Sequence, residues 1–466
     1  MRANSNVNGE PTMNQIDTPA IDRAHAIEAF RRDIDGIACL TGADDLRIKA
    51  RDYYWYSPVL EALLKDYRAE IVVLPTSEAE VLRIAAAAAR HRLPVTVRGG
   101  GTGNYGQAVP LQGGVVLETT RLDRVIEIAD GRVRVQSGAR LEPLLEAVRE
   151  TGQQLMMYPS TMSIATVGGF IAGGSAGIGS ARHGILKESG AMRSIRIVTL
   201  EEVPRTLTLT GADVEMVHHA WGTNGIIVEL ELALVPAVDW LHCIALFPSY
   251  PDVVRFGRAV LASDIDVFLL SGVDRRFAPY YTDLQSHFDG HADAMFALVN
   301  PRDRQRFADL ARSFGGSIDL CVTEPERVQA GLPPVHECAY NHTTLRALKM
   351  ERGWTYLQMV VPAPFDPDLI AAQMARYGDE MLMHHEFARY AGGPRMSGLV
   401  LLQFMDEERL DEITKELLQD GCHVMNAHVN ILEKSGRKQM QAEEIAFMRN
   451  VDPFGLMNPG KILLQG

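Results

Sequence analysis

The chain has 466 residues, of which 46% are hydrophobic, so it can form two or more domains with cores of their own. Its formal net charge of −13 at pH 7 argues against nucleic acid or an anionic membrane surface as a partner.

The five cysteines are scattered, without a C-x-x-C pair and without the spacing of a metal site. This usage is typical of free thiols in a reducing compartment. Residues 1–22 are polar and lack the apolar segment of a signal peptide, and we expect them to form a disordered lead. No window holds the roughly 18 apolar residues of a membrane span. We therefore expect a soluble, cytoplasmic protein.

In chain order, the first predicted element is an amphipathic helix near residues 24–34, which ends before Gly36. The aromatic stretch at residues 52–57 follows, and it either packs on the core or takes part in substrate binding. A strand–helix–strand unit is then predicted from Ile71 to Val97, with an alanine-rich helix between its strands.

A glycine-dense turn directly follows that unit, Arg98-Gly99-Gly100-Gly101-Thr102-Gly103-Asn104-Tyr105-Gly106. Because glycine has no Cβ, several backbone N–H groups can converge there and form a nest for phosphate oxygens. The spacing also matches the G-x-G-x-x-G of a Rossmann site, which requires a helix to begin at the glycines. Here Pro110 and a pair of glycines precede a strand at residues 115–118, which excludes a helix of useful length. We expect a pyrophosphate-binding loop between two strands, with a simple glycine turn as the alternative.

Strands at residues 115–117 and 133–137 and a helix at 141–150 lead to a second glycine-rich segment, residues 159–179. Six of the twelve residues from Gly168 to Gly179 are glycine, which predicts close backbone approach to a flat or charged ligand. A third turn reads Trp221-Gly222-Thr223-Asn224-Gly225-Ile226-Ile227. From about Asp239 the glycine-rich pattern stops, and the strands and helices beyond it predict a separate α+β domain.

This order of motifs resembles the FAD-binding domain of the vanillyl-alcohol oxidase (VAO) and p-cresol methylhydroxylase (PCMH) superfamily. The resemblance lies in Val73–Val81, in the glycine turn after the next strand, and in the closing Asn-Pro-Gly-Lys of residues 458–461. It implies an α+β fold with a two-subdomain PCMH-type FAD-binding domain at residues 23–238 (core 66–237). It also implies a substrate cap domain at 239–425 and a C-terminal return segment at 426–466 that packs on the FAD domain.

By the same resemblance the cofactor is FAD. Other members carry a bonding His or Cys where this chain has Thr102 and Ile164, so we expect non-covalent flavin. Asn458 and Lys461 are expected near the ring, with a solvated tail lysine as the alternative for Lys461. The residues expected to bind FAD are Gly99, Gly100, Gly101, Thr102, Gly103, Asn104, Gly106, Pro159, Ser160, Thr161, Ala165, Thr166, Gly168, Gly169, Ala172, Gly173, Gly225, Ile227, Asn458 and Lys461.

The catalytic residues are expected in the cap and in the return segment. Flavin N5 accepts a hydride from a C–H bond, and the hydroxyl or amine proton of the substrate needs a nearby base. Histidine suits this role because its ordinary pKa lies near operating pH. We predict His342 first, then His428, with His385 as a third candidate, and Tyr340 and Asn341 orienting the substrate beside His342. A structural histidine is the alternative for each.

We expect no metal. Members that act on D-2-hydroxy acids often carry a metal-binding His-x-x-Asp-Gly-Asn-x-His, and the corresponding residues 391–398 lack those ligands. His384 and His385 cannot replace them, since consecutive strand residues point to opposite faces. We expect hydrogen bonds and aromatic contacts to hold the substrate instead.

The expected function is FAD-dependent oxidation of a small alcohol, hydroxy acid or phenolic substrate, with O2 or a quinone or cytochrome as acceptor. Small side chains at residues 173–177 leave room for O2, which favours an oxidase over a dehydrogenase. Three alternatives remain: a non-redox flavin-dependent transferase or lyase, an NADPH-dependent reductase without an evident nicotinamide site, and a flavin-binding protein without catalysis. A homodimer is compatible with the sequence.

Overall fold

The computed structural model describes residues 22–463, so the lead predicted at residues 1–22 lies outside the described residues except for Asp22, which caps the first helix. Within this range the chain forms three β-sheets of four, six and nine strands. The first two sheets precede Asp239 and the third follows it. This mixture of helices and sheets confirms the predicted α+β class, while the domain bounds stay predictions.

The first sheet is mainly parallel and contains the predicted strand–helix–strand unit. Its elements are α1 (Arg23–Asp33), β1 (Cys39–Leu40), α2 (Ala43–Lys49), α3 (Pro58–Leu64), β2 (Ile71–Val73), α4 (Glu78–Arg90), β3 (Val95–Arg98) and β4 (Val115–Glu118). The strand order is β1-β2-β4-β3. The side chain of Ser77 accepts a hydrogen bond from Glu80 N and so begins α4, whose buried alanines allow close packing on the sheet. All three residues of β2 are buried, as expected for a parallel sheet with both faces covered.

The second sheet is antiparallel. Its elements are β5 (Val125–Ala129), β6 (Arg132–Gln136), α5 (Leu141–Arg149), β7 (Gln153–Leu155), α6 (Val167–Gly173), α7 (Ser180–His183), α8 (Leu186–Ser189), β8 (Met192–Val198), β9 (Thr206–Thr210) and β10 (Ile226–Pro236). The strand order is β5-β6-β10-β8-β9, and β7 pairs with β10. Val133 and Val135 are fully buried while Arg134 is exposed, which is the alternation of a strand with one face on the core.

The third sheet forms the cap. Its elements are β11 (Leu241–Phe247), α9 (Tyr250–Ala262), β12 (Val267–Val273), β13 (Asp293–Val299), α10 (Arg304–Ser313), β14 (Ser317–Val322), α11 (Glu324–Gln329), α12 (Asn341–Met350), β15 (Trp354–Val360), α13 (Pro367–Tyr377), β16 (Met381–Leu382), β17 (His384–Tyr390), β18 (Gly393–Gln403), α14 (Glu407–Gln419) and β19 (His423–Met425). The order is β14-β11-β13-β12-β17-β18-β15-β19, and β16 pairs with β18. In the β17–β18 hairpin Glu386 lies opposite Ser397 and Ala388 opposite Arg395.

The chain returns to the first sheet after the cap, as the resemblance implied. Helix α15 (Ala442–Val451) leads to a segment in which Val95 N donates to Leu456 O at 2.8 Å and Asn458 N donates to Val95 O at 2.8 Å. Residues 426–430 do not form a strand. The Asn426 side chain accepts from His428 N at 2.8 Å, so the chain turns directly after β19.

Short 3₁₀ helices join these elements at Tyr54–Tyr56, Thr119–Arg121, Gly211–Met216, Arg275–Tyr280, Pro301–Asp303, Val335–Cys338 and Gly378–Glu380. Nowhere in residues 22–463 is a helix both long enough and apolar enough to cross a membrane.

Candidate active site

A cavity of about 840 Å³ lies between the three glycine-rich segments and one face of the cap sheet. The residues predicted to bind FAD line it, except for Gly106, Asn458 and Lys461. The cap contributes alternate residues of neighbouring strands, which share one face of the sheet. They are Gln358 of β15, Glu386, Ala388 and Tyr390 of β17, Arg395, Ser397 and Leu399 of β18, and Met425 of β19.

The first glycine loop leaves no room for side chains. A Cβ on Gly99 would overlap the Thr166 hydroxyl, and one on Gly100 would overlap the Ile164 carbonyl oxygen. Gly101 has a φ of +67°, a conformation that side chains rarely adopt. The loop enters no helix before β4, which confirms that it is not a Rossmann turn.

Asn458 and Lys461 donate hydrogen bonds to backbone carbonyl groups at the end of this loop and do not line the cavity. Asn458 donates to Gln107 O at 2.9 Å and to Trp221 O at 2.7 Å, so it ties the first glycine segment to the third. Lys461 Nζ donates to Gly106 O at 2.6 Å. Burial lowers the pKa of Lys461 and raises the pKa of Asp52, and each charge partly offsets the shift of the other. Direct contact of Asn458 or Lys461 with the cofactor stays a prediction.

Several buried polar atoms that line the cavity have no partner within residues 22–463. They include Asn104 Nδ2, Ser137 Oγ, His219 Nε2 and Trp221 Nε1. Burial, then the charges of Arg437, His218 and Lys438, holds the pKa of His219 well below its usual value, so its ring is neutral. Unpaired buried polar groups are rare, and these fit the phosphate, ribose and ring oxygens of a dinucleotide. The cavity therefore fits FAD.

Thr102 and Ile164 occupy the positions at which other members of the superfamily bond the flavin covalently, and only one of the two lines the cavity. Thr102 lines the cavity, whereas Ile164 is 45% exposed and does not. Neither side chain carries an imidazole or a thiol, and non-covalent attachment stays a prediction.

The predicted catalytic residues fall into two groups. Tyr340 and Asn341 line the cavity, whereas His342, His385 and His428 do not. His385 lies on the opposite face of β17, where its Nδ1 is 2.8 Å from the Tyr250 hydroxyl, and burial lowers its pKa to about 3.

The other two imidazoles are also withdrawn from the cavity. His428 is bonded through both ring nitrogens, to Ser57 Oγ at 2.7 Å and to Tyr356 O at 3.0 Å. His342 lies in α12, and burial, followed by Arg346 and Lys349, lowers its pKa to about 4. The structure does not bring the three predicted bases together, and their catalytic role stays a prediction.

Sequence reasoning missed two arginines that line the cavity, Arg395 and Arg437. Arg395 Nε donates to Ser397 Oγ at 3.3 Å, and its guanidinium lies 5.0 Å from the centre of the Tyr390 ring. Arg437 Nη1 donates to the Tyr105 hydroxyl at 2.9 Å, while its buried Nε lacks a partner among residues 22–463.

Neither guanidinium has a carboxylate within 4.0 Å in the described part of the chain. Burial, and also the positive charge of Arg437, lowers the pKa of Arg395. Two half-buried cations that repel each other favour an anionic ligand between them. The alternation of β17 and β18 is the signal that could have pointed to Arg395. Among residues 22–463 no group of three or more His, Cys, Asp or Glu side chains is placed to hold a metal ion.

Comparison with known proteins supports this assignment of the cavity. Residues 69–201 match the family described as FAD binding domain. The glycolate oxidase subunit GlcD of Escherichia coli (strain K12) is 24% identical, over 95% of this chain and 92% of that protein. A D-lactate dehydrogenase of Archaeoglobus fulgidus is 25% identical, over 84% of this chain and 91% of that protein.

Solved structures agree in fold. The chain resembles alkyldihydroxyacetonephosphate synthase with a TM-score of 0.71 at 15% identity, over 93% of this chain and 84% of that one. It resembles p-cresol methylhydroxylase with bound substrate with a TM-score of 0.66 at 16% identity, over 94% and 96% of the two chains. With the glycine cradle and the unpaired polar atoms around it, these findings identify the cofactor as FAD and the chain as an FAD-dependent oxidoreductase with a PCMH-type (VAO) fold.

Proposed function

We propose that this enzyme oxidises a small 2-hydroxy acid to the 2-oxo acid. The observation that carries the proposal is the pair of guanidinium groups, Arg395 and Arg437, that line the cavity without a carboxylate partner within residues 22–463. A planar guanidinium binds a carboxylate through two parallel hydrogen bonds. The relatives named for glycolate and D-lactate, both 2-hydroxy acids, point to the same class.

When bound, FAD accepts the hydride of the substrate C–H bond. The glycine loops hold the dinucleotide, and one face of the cap sheet lines the other side of the cavity. Arg395 and Arg437 fix the substrate by its carboxylate, and Gln358 fixes Arg437 by accepting from its Nη1. Small side chains at residues 173–177 leave room for O2, so we propose O2 as acceptor, with a quinone or a cytochrome as the alternative.

The test is anaerobic mixing of the FAD-loaded enzyme with a panel of 2-hydroxy acids, neutral alcohols and phenols. Bleaching of the flavin by hydroxy acids alone is the expected result. Bleaching by neutral alcohols or phenols, with none by any hydroxy acid, would refute the proposed substrate class.

The variant Arg395→Met tests the binding group. Losing a charge-assisted hydrogen bond should raise the substrate concentration for half-maximal reduction by about 10- to 100-fold. Arg389→Met is the matched control, because Arg389 lies on the same hairpin but on the opposite face, where its Nε donates to Ala181 O at 3.1 Å. Equal shifts in the two variants would contradict the role of Arg395.

A further inference from the structure

One carboxylate that lines the cavity has hydrogen-bond partners within residues 22–463 at only one of its two oxygens. Glu386 of β17 is only 2% exposed and lines the cavity. Its Oε1 accepts three hydrogen bonds, from Tyr340 N at 2.6 Å, Ser271 Oγ at 2.9 Å and His384 Nε2 at 2.9 Å. Its Oε2 is buried and has no partner anywhere in the described residues. A buried carboxylate oxygen without a donor is costly unless a ligand supplies one.

The donor that fixes Glu386 comes from a strained residue. Tyr340 has φ 52° and ψ −140°, a conformation that a residue with a Cβ rarely adopts. Its hydroxyl donates to Gly177 O at 2.7 Å, which joins the cap to the second glycine segment. Strain of this kind persists where the surroundings impose it, commonly at functional sites. Here it directs the Tyr340 amide at Oε1 of Glu386.

His384, which lies in β17 two residues before Glu386, donates a hydrogen bond to the same Oε1 oxygen. Its Nε2 faces a carboxylate, which only accepts, so Nε2 carries the proton. The imidazole lies behind Glu386, is fully buried and does not line the cavity. We assign it as a positioning residue for Glu386.

We propose that Glu386 is the general base of the reaction, an inference that rests on the proposed function. The hydroxyl of the 2-hydroxy acid donates to Oε2 of Glu386. As the C–O bond becomes a C=O bond, the O–H proton moves to Oε2, and the C–H hydrogen leaves with its electron pair to FAD. The products are the 2-oxo acid, a protonated Glu386 and FAD reduced by two electrons. The protonated carboxyl returns its proton to solvent after the product leaves.

The test is the rate of flavin reduction in Glu386→Gln under anaerobic conditions. The amide can keep an acceptor where Oε1 lies but cannot take the proton. The rate should fall by about 10²- to 10⁴-fold. Glu416→Gln is the matched control, because Glu416 Oε2 is also buried without a described partner but lies in α14, away from the cavity. It should reduce flavin at the wild-type rate.

Three further readouts separate a catalytic role from a structural one. The Tm, the FAD content and the Kd for oxalate, measured from the perturbed flavin spectrum, should be close to wild type in Glu386→Gln. Unchanged reduction in Glu386→Gln, in an enzyme that hydroxy acids bleach, would overturn the assignment of Glu386 alone. Failure of every hydroxy acid to bleach the wild-type enzyme would instead overturn the proposed function. If Glu386→Gln does not retain FAD, Glu386→Asp is used in its place. Flavin reduction slowed at least tenfold in Glu386→Asp supports Glu386 as the general base, and reduction at the wild-type rate refutes that assignment.

Discussion

Replacing His428 by asparagine should change the pH dependence of stability without stopping the chemistry. His428 Nε2 lies 3.0 Å from the Tyr356 carbonyl oxygen, so Nε2 carries the proton and Nδ1 accepts from the Ser57 hydroxyl at 2.7 Å. The same Ser57 oxygen accepts from Leu60 N at 3.1 Å and caps α3. A second proton would bring a charge into a fully buried site, and burial therefore lowers the pKa of His428 to about 4.

The magnitude follows from this pKa and the value of about 6.5 for an unfolded histidine. Because the folded pKa is the lower one, the unfolded chain binds the proton preferentially below pH 6.5, and stability falls until about pH 4. Between pH 7 and pH 5 this group alone lowers the free energy of unfolding by about 2 kcal/mol.

Urea unfolding of wild type and His428→Asn at pH 7 and pH 5, at one fixed FAD concentration, measures this effect. The variant should be less stable at pH 7 by about 1–3 kcal/mol, because buried polar groups lose their partner. That gap should shrink by about 2 kcal/mol at pH 5. A gap of the same size at both pH values would refute the reasoning. The rate of flavin reduction in the variant should stay within about tenfold of the wild-type rate. A rate lowered by about 10²- to 10⁴-fold, as expected when a general base is removed, would instead show that His428 is catalytic.

Other predictions concern the cofactor and the acceptor. Gly99→Val should abolish FAD binding. Gly353→Val should retain it, because a Cβ at Gly353 meets no atom of residues 22–463 within 4 Å; equal flavin absorbance in the two purified variants would contradict the cradle. Because Thr102 and Ile164 offer no bonding nucleophile, acid precipitation should release the flavin into the supernatant, and a coloured pellet would exclude non-covalent attachment. When reduced enzyme is mixed with air-saturated buffer in a stopped-flow instrument, the flavin should be reoxidised at a rate at least equal to the rate of turnover. Reoxidation by O2 that is slower than reoxidation by a quinone would show that the enzyme is a dehydrogenase.

The cofactor half of the site could be predicted from the sequence because its signals are local. The glycines at positions 99 and 100 indicate that the backbone there closely approaches another group. The strand predicted after Pro110 excludes a Rossmann helix without knowledge of the rest of the fold. The helix and strand bounds around this loop follow from periodicity for the same reason.

The substrate half could not be predicted as well, because its residues meet only through pairing of strands. Arg395 and Glu386 share a face through the register of the β17–β18 hairpin, which the sequence does not state. The role of His428 depends on the Ser57 hydroxyl and the Tyr356 carbonyl oxygen, which are distant in sequence. A histidine can be recognised in a sequence, but whether it faces a ligand or the core depends on tertiary structure.

The most direct test of the central claim is an anaerobic spectral titration of the purified wild-type enzyme with glycolate and with each enantiomer of lactate. We predict an FAD spectrum whose visible absorbance is lost on addition of at least one 2-hydroxy acid, with one equivalent of 2-oxo acid formed per flavin reduced. A bound flavin that stays oxidised with every 2-hydroxy acid would contradict the account.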